Sequence, residues 1–155
     1  RKAHAYLESV KDHLVIFPGV PEFVREAAAA YPLAIASGAL RHEIEFILEQ
    51  AGLRKAFLHI TGAEDVTKGK PDPEPFLHAL DALNRQRPKQ TIAPGSCLVI
   101  EDSIPGLRGA KTAGMKVLAV ANTHTIQDLH EAHAITPSLA QVRLSELRER
   151  LWPAP

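Results

Sequence analysis

Cys97-Leu98-Val99-Ile100-Glu101-Asp102-Ser103-Ile104-Pro105-Gly106-Leu107 changes character in its middle. Four apolar residues end in two carboxylates and a hydroxyl, and a helical pattern comes next. Near-continuous hydrophobicity over so short a run marks a strand buried on both faces of a parallel sheet. Ser103 stands where an N-cap belongs, Leu107 and Ala110 share one helical face, and Gly114 supplies the stop. A second apolar run, Lys116-Val117-Leu118-Ala119-Val120, comes after it. Strand, helix and strand in that order make a βαβ unit, parallel and right-handed.

The pattern extends in both directions. Leu33-Ala34-Ile35-Ala36 and Ala56-Phe57-Leu58-His59-Ile60 read as further strands, and Ala134-Ile135 as a short one. Between the first two, Leu40, Ile44, Ile47, Leu48 and Ala51 recur at helical spacing, and Gly52 stands after them as a stop. Asp72-Pro73 reads as N-cap and first helical position, ahead of Phe76, Leu80 and Leu83 on one face. Residues 18–30 form another helix with Val20, Phe23, Val24 and Ala27 inward, and residues 144–151 form a last one. The first dozen residues read as the end of a helix. The stretch from Asn84 to Gly95, polar with two prolines, reads as a surface loop. The expected architecture is an α/β doubly wound parallel sheet with helices on both faces.

Composition narrows the function classes. The chain of 155 residues carries 18 basic and 18 acidic side chains, so it lacks the basic excess of a nucleic-acid or membrane-surface binder. A hydrophobic fraction of 45% is that of a globular chain. The one cysteine, Cys97, excludes an internal disulfide framework and fits a reducing compartment, the cytoplasm being expected. Its position before an apolar run makes it a core residue. No apolar run reaches membrane-spanning length, and no basic-then-apolar leader opens the chain. His124, His130 and His133 match no zinc-site spacing and read as surface residues. Trp152 reads as a packing residue.

Ligands of open parallel sheets sit beyond the carboxyl ends of the strands. Ser37-Gly38 ends the first run, Glu101-Asp102-Ser103 ends the third, and Lys68-Gly69-Lys70-Pro71-Asp72-Pro73 precedes a helix between them. A hydroxyl with backbone N–H groups, a lysine and a carboxylate pair suit a phosphoryl ester with a divalent cation. N–H groups at a helix start and a lysine bind phosphate oxygens. Two adjacent carboxylates are reconciled by a hard cation, and Mg²⁺ takes one or two carboxylates with waters and a phosphate oxygen.

With these residues in place the chain resembles the haloacid dehalogenase superfamily, and within it the phosphoglycolate phosphatase and β-phosphoglucomutase-like subgroup. Ala34-Ile35-Ala36-Ser37-Gly38 resembles its second motif. Gly69-Lys70-Pro71-Asp72-Pro73-Glu74-Pro75-Phe76 resembles the third, and Val99-Ile100-Glu101-Asp102-Ser103-Ile104-Pro105-Gly106 the fourth. The resemblance runs from about Phe17 to about Val120. It implies a three-layer α/β/α sandwich with a Rossmann-like parallel sheet. It implies that Ser37 and the Gly38 N–H hold the transferring phosphoryl group. Lys70 contacts that group and the nucleophile. Asp102 ligates Mg²⁺, with Glu101 as a direct or water-mediated partner. Arg41, one helical turn past Ser37, is a weaker candidate for touching substrate. The implied reaction is Mg²⁺-dependent hydrolysis of a small phosphorylated metabolite, of sugar phosphate or phosphoglycolate type, through an aspartyl-phosphate.

The family's first motif, Asp-x-Asp-Gly-Thr, has no counterpart here, and the only early aspartate is Asp12. About 36 residues precede Ser37, room for only the last helix of a cap. Residues 1–16 are therefore expected to be a remnant of a helical cap or linker, and 17–155 the C-terminal part of the core domain. The nucleophile and the central first strand are expected on a segment outside this chain, as part of a longer protein or a second polypeptide. The chain alone is expected to be inactive. Two alternatives stay open: a β-phosphoglucomutase-like mutase, and an inactive fragment serving as a binding or assembly module.

Overall fold

The computed structural model describes residues 17–155, so the expected cap remnant at 1–16 lies outside the described residues. Helix α1 covers Val20–Ala30, strand β1 Ala34–Ala36, helix α2 Arg41–Gln50 and strand β2 His59–Thr61. Helix α3 covers Glu74–Gln86, strand β3 Leu98–Glu101, helix α4 Ile104–Thr112, strand β4 Lys116–Val120, strand β5 Ala134–Thr136 and helix α5 Leu144–Leu151. All described strand pairings are parallel, β1 with β2 in one set and β3 with β4 and β5 in order in the other. Among the described residues no strand lies between β1 and β3. Ile100 on β3 is accordingly 38% exposed, unusual for an isoleucine on a buried strand.

Side-chain alternation along β4 builds the layers. Val117 and Ala119 pack with Phe76 and Leu80 of α3 and Leu107 and Ala110 of α4. Leu118, between them, packs on the other side with Leu147 and Leu151 of α5. β1 divides likewise, Ala36 lying against the α3–α4 cluster and Ile35 against Ile44 and Leu48 of α2 and Val24 of α1. The result is a three-layer α/β/α sandwich with a parallel, Rossmann-like sheet. Among the described residues no helix is long and apolar enough to cross a membrane.

Several boundaries differ from the sequence reading. The run at 56–60 gives a strand only from His59, because Arg54–Ala56 forms a 3-10 turn closed by an Arg54 Nη1–H bond to the Phe57 carbonyl at 3.1 Å. α3 starts at Glu74 with Pro73 at its N-cap, yet the Asp72 carboxylate still accepts the Glu74 N–H at 2.9 Å. α3 also continues to Gln86, into the expected loop. Asn84 at its end bonds Ile92 twice, from Nδ2 to the carbonyl at 3.0 Å and from the Ile92 N–H to Oδ1 at 2.8 Å. Cys97 is half-buried, just before β3 rather than within it.

Candidate functional site

One side chain reaches the carboxyl ends of both β1 and β3. Lys70 Nζ donates to the Ala36 carbonyl at 3.0 Å and to Glu101 Oε2 at 2.9 Å. The loop before α3 delivers this lysine. Glu74, in the first turn of α3, accepts the Thr67 and Lys68 N–H groups on Oε2 at 2.9 and 2.6 Å. The Asp72 N–H donates to the Gly69 carbonyl at 3.0 Å. The Lys70 stem then passes over the Phe76 ring, with the ammonium 5.1 Å from its centroid, a cation–π contact. Lys68, two residues earlier, is exposed.

Glu101 is held at both oxygens. Oε2 faces Lys70, and Oε1 accepts the Ser103 hydroxyl at 3.0 Å. Ser103 Oγ in turn accepts the Gly106 N–H at 3.1 Å, so the expected N-cap of α4 is also a brace for the carboxylate. A Cβ at Gly106 would overlap the Glu101 side chain, so glycine there makes room for it.

Asp102 is the freer carboxylate of the pair and forms no ion pair among the described residues. Burial pushes its carboxyl above the ordinary range, and the charge of Glu101 adds to the push. It lines an open cavity of about 340 Å³ with Ile100, Glu101, Val120, Asn122, Phe17 and Leu139. No group of three or more histidine, cysteine, aspartate or glutamate side chains gathers anywhere among the described residues. One or two carboxylates with a lysine beside them are a donor set for a hydrated hard cation that shares a phosphate oxygen.

Ser37 and Gly38 come directly after β1, next to the carbonyl that Lys70 grips. The Ser37 N–H is occupied by the Thr61 carbonyl at 3.0 Å, and Ser37 Oγ accepts the Ala39 N–H at 3.1 Å. Gly38 stands in the open, where a Cβ would meet no atom within 4 Å. Lys70 thus joins Glu101 to the carbonyl that precedes Ser37, and of the expected site residues Glu101 and Asp102 line the cavity. Arg41 points elsewhere. Its guanidinium bonds Asp65 and its backbone N–H donates to Glu64 Oε1 at 2.8 Å, which pins α2 to the turn after β2. Two residues of the crevice went unread in the sequence. Asn122 lines the cavity, and Thr123 donates its hydroxyl to the Asp102 carbonyl at 3.3 Å. Both lie just past β4, so the strand-end rule that marks Ser37 and Asp102 also marks them.

Comparison with known proteins identifies the family. A family model described as haloacid dehalogenase-like hydrolase matches residues 2–114. The chain is 36% identical to a bifunctional riboflavin kinase/FMN phosphatase of Arabidopsis thaliana, over 87% of this chain and 35% of that protein. It is 32% identical to the chloroplastic 5-amino-6-(5-phospho-D-ribitylamino)uracil phosphatase of the same plant, over 76% of this chain and 30% of that protein. The chain therefore spans about a third of the length of these curated relatives. Among solved structures, β-phosphoglucomutase from Clostridium difficile superposes with a TM-score of 0.81 at 24% identity, covering 97% of this chain and 63% of that one, a likeness of fold. With its parallel three-layer sandwich and a family match over most of its length, the chain belongs to the haloacid dehalogenase-like hydrolase family.

Proposed function

We propose that the intact protein is a Mg²⁺-dependent phosphatase of small phosphorylated metabolites, and that this chain supplies its electrostatic half. The observation that carries the reading is the Lys70 ammonium at the junction of β1 and β3, beside a carboxylate that burial and Glu101 disfavour as a bare anion. Phosphoryl transfer asks a protein mainly for positioning and charge neutralisation. In this reading the Ser37 hydroxyl and the Gly38 N–H hold phosphoryl oxygens. Lys70 places its positive charge against the same oxygens, and Glu101, braced by Ser103, fixes where that charge stands. Asp102 would hold Mg²⁺, with Glu101 as a direct or water-mediated partner. Mg²⁺ held there would supply positive charge to offset that of the phosphoryl group. Arg41, committed to Asp65, is assigned a structural part. The attacking aspartate is assigned to a segment outside this chain that enters as a strand between β1 and β3. The small-metabolite assignment is supported by relatives whose names specify FMN and a phosphoribitylamino-uracil.

The test uses protein expressed from the full-length reading frame, assayed for phosphate release from FMN, phosphoglycolate, glycerol phosphate and glucose 1-phosphate, with Mg²⁺ or with chelator. Release that needs Mg²⁺ and falls by about 10²–10³ in Lys70→Met and Asp102→Asn is expected. Release indifferent to chelator, or to both substitutions, overturns the reading. Movement of the phosphoryl group between sugar positions without release reassigns the site to a mutase.

A further inference from the structure

The opposite end of the sheet holds a second cleft that the catalytic reading does not use. β3, β4 and β5 run parallel, so their amino ends gather at one edge, away from Asp102. Gly95 precedes β3, Lys116 opens β4 and His133 precedes β5, and these line a cavity of about 460 Å³ with Lys111 and Trp152. That volume falls in the range of small-ligand sites.

Its lining is one-sided in charge. Lys111, Lys116 and His133 line the space, and among the described residues no acidic side chain does. The Glu131 carboxylate is engaged by Arg108 at 3.6 Å, and Lys111 donates to the Glu131 backbone carbonyl at 2.9 Å. Lys116 forms no ion pair among the described residues, which leaves its charge for a ligand. His133 accepts the Val117 N–H on Nδ1 at 3.0 Å, so its neutral ring carries the proton on Nε2 and presents a donor. Burial, and then the charges of Lys116 and Lys111, hold this imidazole below its ordinary pKa.

One wall is aromatic and rigid. Trp152 Nε1 donates to the Gly95 carbonyl at 2.8 Å, and the indole packs against the cluster of Leu118, Leu147 and Leu151. A fixed indole beside three cationic or donor groups matches a ligand with a planar ring and a phosphate, since the phosphate offers three acceptor oxygens and the ring a stacking face. We propose that this cleft binds a nucleoside monophosphate, with Lys111, Lys116 and His133 on the phosphate and the Trp152 indole against the base. The site is separate from the crevice of Lys70 and Asp102 and does not depend on the reaction assigned there.

Protein expressed from the full-length reading frame is titrated calorimetrically with AMP, adenosine and inorganic phosphate at matched ionic strength. A saturable change with AMP is expected, with adenosine and phosphate each at least tenfold weaker. Lys116→Gln and His133→Gln should each weaken AMP by about tenfold, the loss of one bond to a charged group. Lys68→Gln, an exposed lysine elsewhere, should leave it unchanged. Because Lys111 is exposed, Lys111→Gln carries the same test if a variant at Lys116 fails to fold. No saturable change with AMP overturns the proposal, as does equal affinity in the Lys116 and Lys111 variants. Phosphate binding as tightly as AMP overturns the assignment of the base to Trp152.

Discussion

Lys70 Nζ lies 2.9 Å from Glu101 Oε2, an ion pair between side chains only 20% and 10% exposed. The same ammonium holds the Ala36 carbonyl, so it ties the end of β1 to the end of β3 where no described backbone ladder does. Removing one partner leaves a largely buried charge facing no counter-charge. Lys70→Met and Glu101→Gln should each lower unfolding free energy by roughly 1–3 kcal/mol. The double variant should lose less than the sum of the two. Urea unfolding of the four proteins measures the coupling, and strict additivity would show that the two side chains do not stabilise each other.

Gly106 is the least obvious requirement of the site. Its missing side chain leaves the space that Glu101 occupies, and Ser103 and Lys70 hold Glu101 there. Gly106→Ala should displace the Glu101 carboxylate and cut turnover of the intact enzyme by tenfold or more, in proportion to lost positioning. The helix itself should survive, because alanine is the better helix former. Unchanged kinetics would mean that Glu101 relaxes freely and positions nothing.

Asp102 carries a stability cost in the metal-free protein. Its folded carboxyl sits above the ordinary value of 3.8, so stability falls as pH rises through that region and the cost is fully present at neutral pH. Asp102→Asn should therefore melt higher than the parent without Mg²⁺. Added MgCl₂ should raise the parent's melting temperature and leave the variant where it was. Thermal denaturation with and without the metal reads both effects, and equal Mg²⁺ shifts would dismiss Asp102 as a ligand.

Acid should weaken the fold through its histidines. His59 bonds the buried Thr61 hydroxyl, which also bonds His78, and the two rings lie 5.6 Å apart. Burial, then the neighbouring His78, hold His59 below the ordinary value of 6.5, and burial with two lysines does the same for His133. The unfolded chain then takes up protons first. Stability is complete above pH 6.5 and declines as pH falls through 6.5 toward the depressed folded values. His59→Gln should flatten that decline. A melting temperature constant between pH 7.5 and 5.5, measured at fixed ionic strength to within about a degree, would contradict the lowered histidine values.

The elements that the amino-acid string alone specifies are those with local causes. β4 and α5 fall at Lys116–Val120 and Leu144–Leu151 as their hydrophobic pattern requires, and Ser103 caps α4 with its own hydroxyl. Gly52 and Gly114, read as helix stops, adopt the left-handed backbone that suits them, at φ 71° and 83°. The approach of Lys70 to the ends of β1 and β3 was legible too, because parallel strands bring the loops at their carboxyl ends to one edge. Every relation between residues distant in sequence needed the folded chain. Nothing local says that Lys70 will choose Glu101, that Arg41 will be taken by Asp65, or that Asn84 will fasten Ile92 and lengthen α3. Nor does it say that Lys111, Lys116 and His133 will meet around Trp152. Periodicity and capping act within a few residues, whereas these partners are chosen by layers that pack separate segments against one sheet. Only packing decides which charges end up buried together.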